Sequence, residues 1–479
     1  MNAQKIINNV PLTGLTADSR QVQPGYLFAA IPGTVADGAR FIPDAIKAGA
    51  RAVLAPPSVT QEDVGPDVAL FHDSNPRRRL ALLAAEFYAP QPETMVAVTG
   101  TNGKTSVADF TRQLWQAMKI NAASIGTLGI RYAGSDGGSG LTTPDPVDLH
   151  RELGAMKAKG IDHVAMEASS HGLDMYRLDG AKFAAAAFTN LTQDHLDYHG
   201  SMEIYRAAKL RLFEELLASG GTAVVNSAAA EFDQISNIAA ERKQRVIAYG
   251  LTNGQIRCIK MDHRTDGFDL ELDVMGERFT VDFPIPGTFQ VENALCSLGL
   301  LIGCGENPKH AVSHLSQLSG VRGRMERVGR LKNGASIYVD YAHTPDALAT
   351  VLKALRPHVG NRLHAVFGCG GDRDRGKRPL MGAVAAELAD MQILTDDNPR
   401  TEDPAAIRAD VMPACPDALN IGDRAQAIHQ AIAGLEPGDV LVIAGKGHEQ
   451  GQTVGDKILP FDDADVARAA IADLQGGGG

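Results

Sequence analysis

Short apolar runs alternate with stretches in which apolar positions recur every three or four residues, along almost the whole chain. The runs predict buried strands and the recurring positions predict amphipathic helices; their alternation is the pattern of α/β layers. In the first 90 residues LFAAIPG, RAVLAPP and VALFHDS are strands, with ARFIPDAIKAGA and PRRRLALLAAEFYA as helices between them. APQPE (89–93) is a proline-rich break suited to a linker. A second unit starts at MVAVTG (95–100) and continues through strands HVAMEAS, FAAAAFTNL and TAVVN. Between 255 and 285 the pattern changes to alternation (DGFDLELDV, ERFTVDFPI), as in antiparallel strands with one wet face, and the helices ENALCSLGLLIG and PKHAVSHLSQL follow. From about 325, strands SIYVDYA, RLHAVFGCG, MQILTDD, DALNIG and DVLVIAG alternate with helices such as PDALATVLKALRP and RAQAIHQAIAGL, predicting a mostly parallel, doubly wound sheet. The terminal GGGG is expected to be a flexible tail.

The 479 residues fit about three domains at roughly 150 each. Apolar residues at 44% and charged residues at 22% argue against disorder or a fibrous fold. Lys plus Arg at 46 against Asp plus Glu at 57 gives a net charge of −11, which argues against nucleic acid or an anionic membrane as a partner. No apolar run approaches the ~18 residues of a membrane span, and MNAQKIINNVPLTG lacks the pattern of a signal peptide. Five scattered cysteines (Cys258, Cys296, Cys304, Cys369, Cys415) without a CxxC pair fit reduced thiols in a cytoplasm rather than disulfides or a zinc site.

The strongest local signal is MVAVTGTNGKTSVADFTRQL, a buried-type strand that passes through Gly100, Thr101, Asn102, Gly103, Lys104 and Thr105 straight into a helix with Lys-Thr at its start, and Ser106 joins these as an ATP-binding candidate. Glycines let backbone N–H groups curl round a phosphate, and the helix N-terminus adds positive potential. Lys104 would reach the β/γ-phosphates and the Thr105 hydroxyl would sit on Mg²⁺. Val98 stands where the eight-residue P-loop has its first glycine, so this is a variant loop. Glu167 ends the strand HVAMEAS, and His195 in QDHLDYH follows a neighbouring one; each alone also fits an ordinary structural residue. On a predicted helix 201–219, Met202, Tyr205, Lys209, Phe213 and Leu216 share one face. Lys209 either snorkels to the rim or is partly buried, and burial favours the neutral amine that captures CO₂.

The loop TGTNGKT resembles the Mur ligase family, which includes the folylpolyglutamate synthases. LTADSR, TTPD, MEASSHGL, NLTQDHLDYHG, YRAAKLRLF, VDYAHTPD, GCGGDRDRGKRP, DDNPR and GKGHE sharpen the likeness to the branch that adds meso-diaminopimelate, in order over essentially the whole chain. The resemblance implies three domains. Residues 1–90 would form a UDP-sugar-binding α/β domain, 91–323 a central ATP-binding P-loop domain, and 324–479 a Rossmann-like domain for the incoming amino acid. It implies a cytoplasmic, ADP-forming ligase of peptidoglycan precursor synthesis that takes UDP-MurNAc-L-Ala-D-Glu, meso-diaminopimelate and ATP. We expect a monomer with no nucleic-acid partner and no membrane insertion.

By the same resemblance Thr105, Glu167, His195 and a carbamylated Lys209 help hold one or two Mg²⁺ ions. Asn293 lies near the adenine, Arg324 approaches the phosphates across a domain junction, and Asp340 contacts the ribose with the catalytic candidate His343 nearby. Ser19 corresponds to a serine at the uridine portion. Thr142, Thr143, Ser170 and Arg177 correspond to holders of the sugar-peptide, although TTPD alone equally fits a capped turn. Met175 replaces a glutamine frequent in relatives two residues before that arginine. Arg373, Asp397, Asn398, Pro399, Arg400, Gly445 and Glu449 match the contacts to diaminopimelate. Arg400 offers a fork that fits a carboxylate bidentately, and Glu449 suits the distal ammonium. Lysine lacks the second carboxylate, so a cationic pocket selects the diacid. The competing readings are a folylpolyglutamate synthase, a lysine-adding ligase, and a binding protein on a decayed ligase scaffold.

Overall fold

The computed structural model describes residues 5–7, 9–33, 37–136 and 141–476. Residues 1–4 of the amino terminus and 477–479 of the expected tail lie outside them, and Gly476 closes the last helix, Asp463–Gly476. The chain divides into two compact units, Met1–Gly254 with Cys296–Pro308, and Gln255–Leu295 with Lys309–Gly479.

In the first unit a four-stranded parallel sheet runs Gly14–Thr16, Tyr26–Ala29, Ala52–Ala55, Ala69–His72. Successive side chains of a strand point to opposite faces. Leu27, Ala29, Ala52 and Leu54 accordingly meet Leu80, Leu83 and Phe87 of the helix Pro76–Phe87, and Phe28 and Val53 meet Ile42 and Ala45 on the other side. A hairpin, Lys5–Ile7 with Val10–Leu12, precedes this sheet and was not among the predicted elements.

The same unit contains a parallel core of six strands: β1 (Thr94–Thr99), β2 (Ala122–Gly126), β3 (His163–Glu167), β4 (Phe183–Phe188), β5 (Leu217–Asn226) and β6 (Arg245–Gly250). Their order is β2-β3-β1-β4-β5-β6, so β1 is central, and every residue after its first is buried. Near-continuous apolar runs are what strands covered on both faces require. Helix α1 (Lys104–Ala117) buries Val107, Phe110, Leu114 and Trp115. Met95 and Ala97 pack in another layer with Leu153, Phe183, Leu210 and Phe213.

The predicted helix 201–219 needs correction. Helix α2 covers Met202–Arg211, widens into a π turn over Leu212–Leu216, and gives way at Leu217 to β5. Apolar spacing continues through the turn as far as Leu216, but Gly220 at φ 78° bars a helical path beyond it, and pairing with β4 takes over through an irregular register.

The second unit begins with the antiparallel strands Ile256–Arg264, Gly267–Val274 and Glu277–Phe283, as the alternation predicts. Its main sheet comprises β7 (Glu326–Arg330), β8 (Ser336–Asp340), β9 (Leu363–Phe367), β10 (Met391–Leu394), β11 (Leu419–Asn420) and β12 (Val440–Ala444), ordered β7-β8-β12-β9-β10-β11. All five predicted strands are present; DALNIG shrinks to the two residues of β11, and the antiparallel β7 is an addition. Separate apolar cores on its two faces, one around Leu352, Phe367 and Met381 and one around Ile337, Ile428 and Ile443, show the double winding. Because β8, β9, β10 and β12 are parallel, VDYAHTPD, GCGGDRDRG, DDNPR and GKGHE all leave the same edge of the sheet. That edge is where such sheets bind ligands.

Candidate functional site

Between β1 and α1 the backbone reverses at Gly100 (φ 145°) and Gly103 (φ 88°). A Cβ at Gly100 would lie 1.9 Å from Thr189 Oγ1, so only glycine fits there. The loop is clamped by the residues just after β4. Thr189 Oγ1 donates to the Asn102 carbonyl at 2.6 Å, Asn190 Oδ1 accepts the Asn102 N–H at 2.9 Å, and the Asn190 carbonyl accepts the Thr101 N–H at 2.9 Å. Thr189 and Asn190 were not singled out from the sequence; their cue was a place directly after a strand of the buried type. Lys104 folds over the loop, its Nζ donating to the carbonyls of Gly100 at 2.9 Å and Thr101 at 2.8 Å. Ser106, further along α1, is buried.

Glu167 ends β3 almost fully buried and collects donors from two loops. Thr105 Oγ1 reaches its Oε2 at 3.1 Å, and the Thr127 N–H reaches its Oε1 at 2.8 Å. A Cβ at Gly126 would come within 2.0 Å of Glu167 Oε1, so that glycine makes room for the carboxylate. A buried hydroxyl and carboxylate side by side are hard oxygen donors of the kind Mg²⁺ takes together with phosphate oxygens. Among the described residues no three His, Cys, Asp or Glu side chains cluster to hold a metal on their own. His195 adopts φ 52° and keeps its ring half exposed; it lies 3.5 Å from Asp194 and faces the rings of His171 at 4.9 Å and Tyr205 at 6.2 Å.

Lys209 does not snorkel. It is 1% exposed, its Nζ donates to the Gly100 carbonyl at 2.8 Å, and it stands 4.4 Å over the Tyr205 ring. Lys104 and Lys209 thus share one carbonyl oxygen. Burial, reinforced by the charge of Lys104, pushes the Lys209 amine well below the ordinary lysine range.

Ser19 opens a short turn capped by Asp18, which borders a cleft of about 620 Å³ lined by Thr16, Gln23, Tyr88, Asp145 and Arg151 among others. Thr142 Oγ1 lies 3.0 Å from Thr127 Oγ1. Thr143 is buried, its hydroxyl donating to the Glu167 carbonyl at 3.0 Å, and Ser170, at the start of the helix Ser170–Asp174, is buried too. Arg177 donates to the Thr143 carbonyl at 2.9 Å, and its other terminal nitrogen meets Met175 Sδ at 3.2 Å.

In the second unit Asp340 ends β8 buried, its carboxylate accepting the N–H groups of Met325 at 2.7 Å and Ala342 at 2.8 Å; burial raises its pKa. Asn293 donates to Gln290, and Gln290 to the Arg324 carbonyl at 3.3 Å. The Arg324 guanidinium stacks 4.6 Å from the Tyr341 ring centre, and His343 Nδ1 lies 2.9 Å from the Tyr341 carbonyl. Asp397 and Asn398 are buried after β10, the Asp397 carboxylate accepting the Asn398 N–H at 2.7 Å, and Pro399 is buried with them. Arg400, at φ 51°, donates through Nη1 to the carbonyls of Gly371 at 2.7 Å and Asn398 at 3.4 Å; among the described residues its Nε and Nη2 carry no partner. Arg373 is exposed on the neighbouring loop. Gly445 at φ 120° takes a conformation that L side chains rarely adopt, and Glu449 Oε2 accepts from Asn398 Nδ2 at 2.9 Å. Lys446, absent from the sequence-based candidates, is fully buried between Asn398 and Glu449.

Comparison with known proteins agrees over the whole chain. Family models match at residues 11–88 (Mur ligase family, catalytic domain), 98–301 (Mur ligase middle domain) and 323–447 (Mur ligase, glutamate ligase domain). The UDP-N-acetylmuramoyl-L-alanyl-D-glutamate--2,6-diaminopimelate ligase of Rhizobium meliloti is 50% identical over 97% of this chain and 95% of its own. That of Bradyrhizobium diazoefficiens is 51% identical over 96% and 95%. A solved structure of a ligase of the same name superposes with a TM-score of 0.74 at 35% identity, covering 97% of this chain and 96% of that one.

Proposed function

The chain belongs to the Mur ligase family, and we propose that it joins meso-2,6-diaminopimelate to the γ-carboxylate of D-glutamate in UDP-MurNAc-L-Ala-D-Glu, with ATP as the energy source. Joining a carboxylate to an amine is uphill in water, so the acid is first phosphorylated. The amine of diaminopimelate then attacks the acyl phosphate through a tetrahedral intermediate, and inorganic phosphate leaves. Of the competing readings, a decayed scaffold is disfavoured because Lys104, Glu167, His195 and Lys209 are all retained.

In the first unit the glycine loop and the start of α1 present N–H groups to the nucleotide phosphates. Lys104 releases its two loop carbonyls to neutralise charge on the moving phosphoryl group. Thr105 and Glu167 would hold Mg²⁺, with His195 as a further ligand; bound there, the ion supplies charge neutralisation on the phosphates. Lys209 as an ammonium would oppose a dication. Its depressed pKa favours the neutral amine, and addition of that amine to CO₂ with loss of a proton gives a carbamate oxygen of the right sign. The family resemblance assigns the cleft beside Ser19, with Thr142, Thr143, Ser170 and Arg177, to the UDP-sugar-peptide. In the second unit it assigns Asn293, Arg324, Asp340 and His343 to the nucleotide. We place the domain boundaries at 90 and 323 and the reaction in the cytoplasm, carried out by a monomer. No helix among the described residues is long and apolar enough to cross a membrane.

The observation that carries the choice of amino acid is the DNPR loop. Arg400 is anchored through one nitrogen by Gly371, so the rest of its fork faces a ligand already oriented, and a carboxylate is the group that matches it. Phosphate release from ATP and the UDP-dipeptide, measured with meso-diaminopimelate and with L-lysine in turn, tests the reading. Release is expected with the diacid; equal use of lysine refutes it.

A further inference from the structure

Lys446 is 0% exposed although it sits in the loop Gly445–Gly447 at the end of β12. Its Nζ donates to Asn398 Oδ1 at 2.9 Å and to Glu449 Oε2 at 3.2 Å. Asn398 Oδ1 also accepts the Thr453 N–H at 2.9 Å. Two donors on that oxygen fix which way the amide points, so Nδ2 turns to Glu449 Oε2, 2.9 Å away. One carboxylate oxygen of Glu449 is therefore held by two donors, and among the described residues its Oε1 carries none.

We propose that Lys446 is a positioning residue that sets the charge of the amino-acid pocket and helps it choose a diacid over a simple diamine. This rests on the reading that the second unit binds meso-diaminopimelate. An uncompensated Glu449 would draw in any side-chain ammonium, whether or not a second carboxylate comes with it. Lys446 offsets the charge and leaves Oε1 as a hydrogen-bond acceptor. The distal ammonium of the diacid then gains a contact, while lysine gains too little attraction to offset its unmatched approach to Arg400. Specificity built this way is a difference between two affinities.

The test is the ratio of kcat/KM for L-lysine to kcat/KM for meso-diaminopimelate, read by phosphate release with saturating ATP and UDP-dipeptide. Lys446→Met is expected to raise the ratio about tenfold or more, through KM, because the partly exposed Glu449 carboxylate loses its fully buried charged partner. Glu449→Gln is expected to lower the ratio, since lysine then loses its only matched distal group. The double variant should return from the Lys446→Met value toward wild type. A general loosening of the loop would move both single variants the same way, and that result, or an unmoved ratio, overturns the proposal. Where Lys446→Met shows no cooperative melting, Glu449→Gln decides: a falling ratio supports the proposal and a constant or rising one overturns it. Wild-type turnover with meso-diaminopimelate checks the underlying reading separately. Its absence sinks both, whereas turnover with an unmoved ratio sinks only the part given to Lys446.

Discussion

Each unit buries a lysine at its candidate site, and the two are in opposite surroundings. Lys209 has a carbonyl for its hydrogen-bond acceptor, an aromatic ring beneath it, and a second lysine on the same carbonyl. Lys446 lies against a carboxylate and an amide oxygen, with an ion-pair distance of 3.2 Å. Burial is nearly identical, 1% against 0% exposed, so burial does not decide the role. An amine placed beside another cation is driven toward the neutral, nucleophilic form, whereas one placed against a carboxylate serves as a fixed counter-charge.

The sharpest way to break the first half of this contrast is at the phosphate loop. Lys104→Ala should cut ADP formation about 10³-fold or more, because charge on the transferring phosphoryl group is then left without its closest cation. Thermal melting should stay close to wild type, since water can replace the side chain's bonds to the carbonyls of Gly100 and Thr101. Normal turnover in this variant would remove the loop from the chemistry.

Lys209→Met is next in size, with kcat expected to fall about 10²-fold. Protein equilibrated with ¹³C-bicarbonate should show a carbamate resonance that the variant lacks; equal spectra break the assignment. The amine also predicts a pH dependence of stability. Its folded pKa is depressed, so between that value and 10.5 the unfolded chain binds a proton that the folded chain does not. Stability therefore rises with pH across that window, and in CO₂-depleted buffer Lys209→Met should flatten the rise in melting temperature.

How much of this was legible depended on whether the signal was local. The turn at Gly100 and Gly103 and the helix that follows are encoded within a few residues, and both appear where expected. Likewise, the alternation in DGFDLELDV reported one wet face directly. The apolar stripe made burial one of two readings for Lys209, and it also hid the end of the helix. A 3.6-residue spacing continues smoothly into a π turn, and Gly220 together with strand pairing to β4 ends it. Thr127, Thr189 and Asn190 escaped notice because their roles exist only once β1, β3 and β4 lie side by side. Lys446 escaped for the same reason: its partner Asn398 is 48 residues away in sequence. A lysine between two glycines in a loop looks solvated until two strand ends enclose it.

At the second site the corresponding break is Arg400→Gln. The guanidinium is the group assigned to the second carboxylate of the diacid, and losing one partner of a buried charge pair costs affinity strongly. KM for meso-diaminopimelate should rise about 30-fold or more, while use of L-lysine, no longer opposed by the guanidinium, should hold or improve. Kinetics with both amino acids decide it. Equal losses for the two would mean that Arg400 only fastens the loop, through its bond to Gly371.

The smallest expected effect probes a place where neither buried lysine is involved. Met175 Sδ sits 3.2 Å from an Arg177 terminal nitrogen, at the position where the sequence resemblance leads one to expect glutamine. A thioether is a weak acceptor, and an amide oxygen facing a charged donor is a stronger one. Met175→Gln should therefore steady Arg177 without adding a charge, and since Arg177 is already tied to the Thr143 carbonyl at 2.9 Å, there is little motion left to remove. KM for the UDP-dipeptide is expected to fall by no more than about threefold with kcat unchanged, a change of well under 1 kcal/mol. A tenfold rise in that KM would show that the sulfur contact itself shapes the sugar-peptide site. Arg177 would then act through Met175 rather than through its bond to the Thr143 backbone.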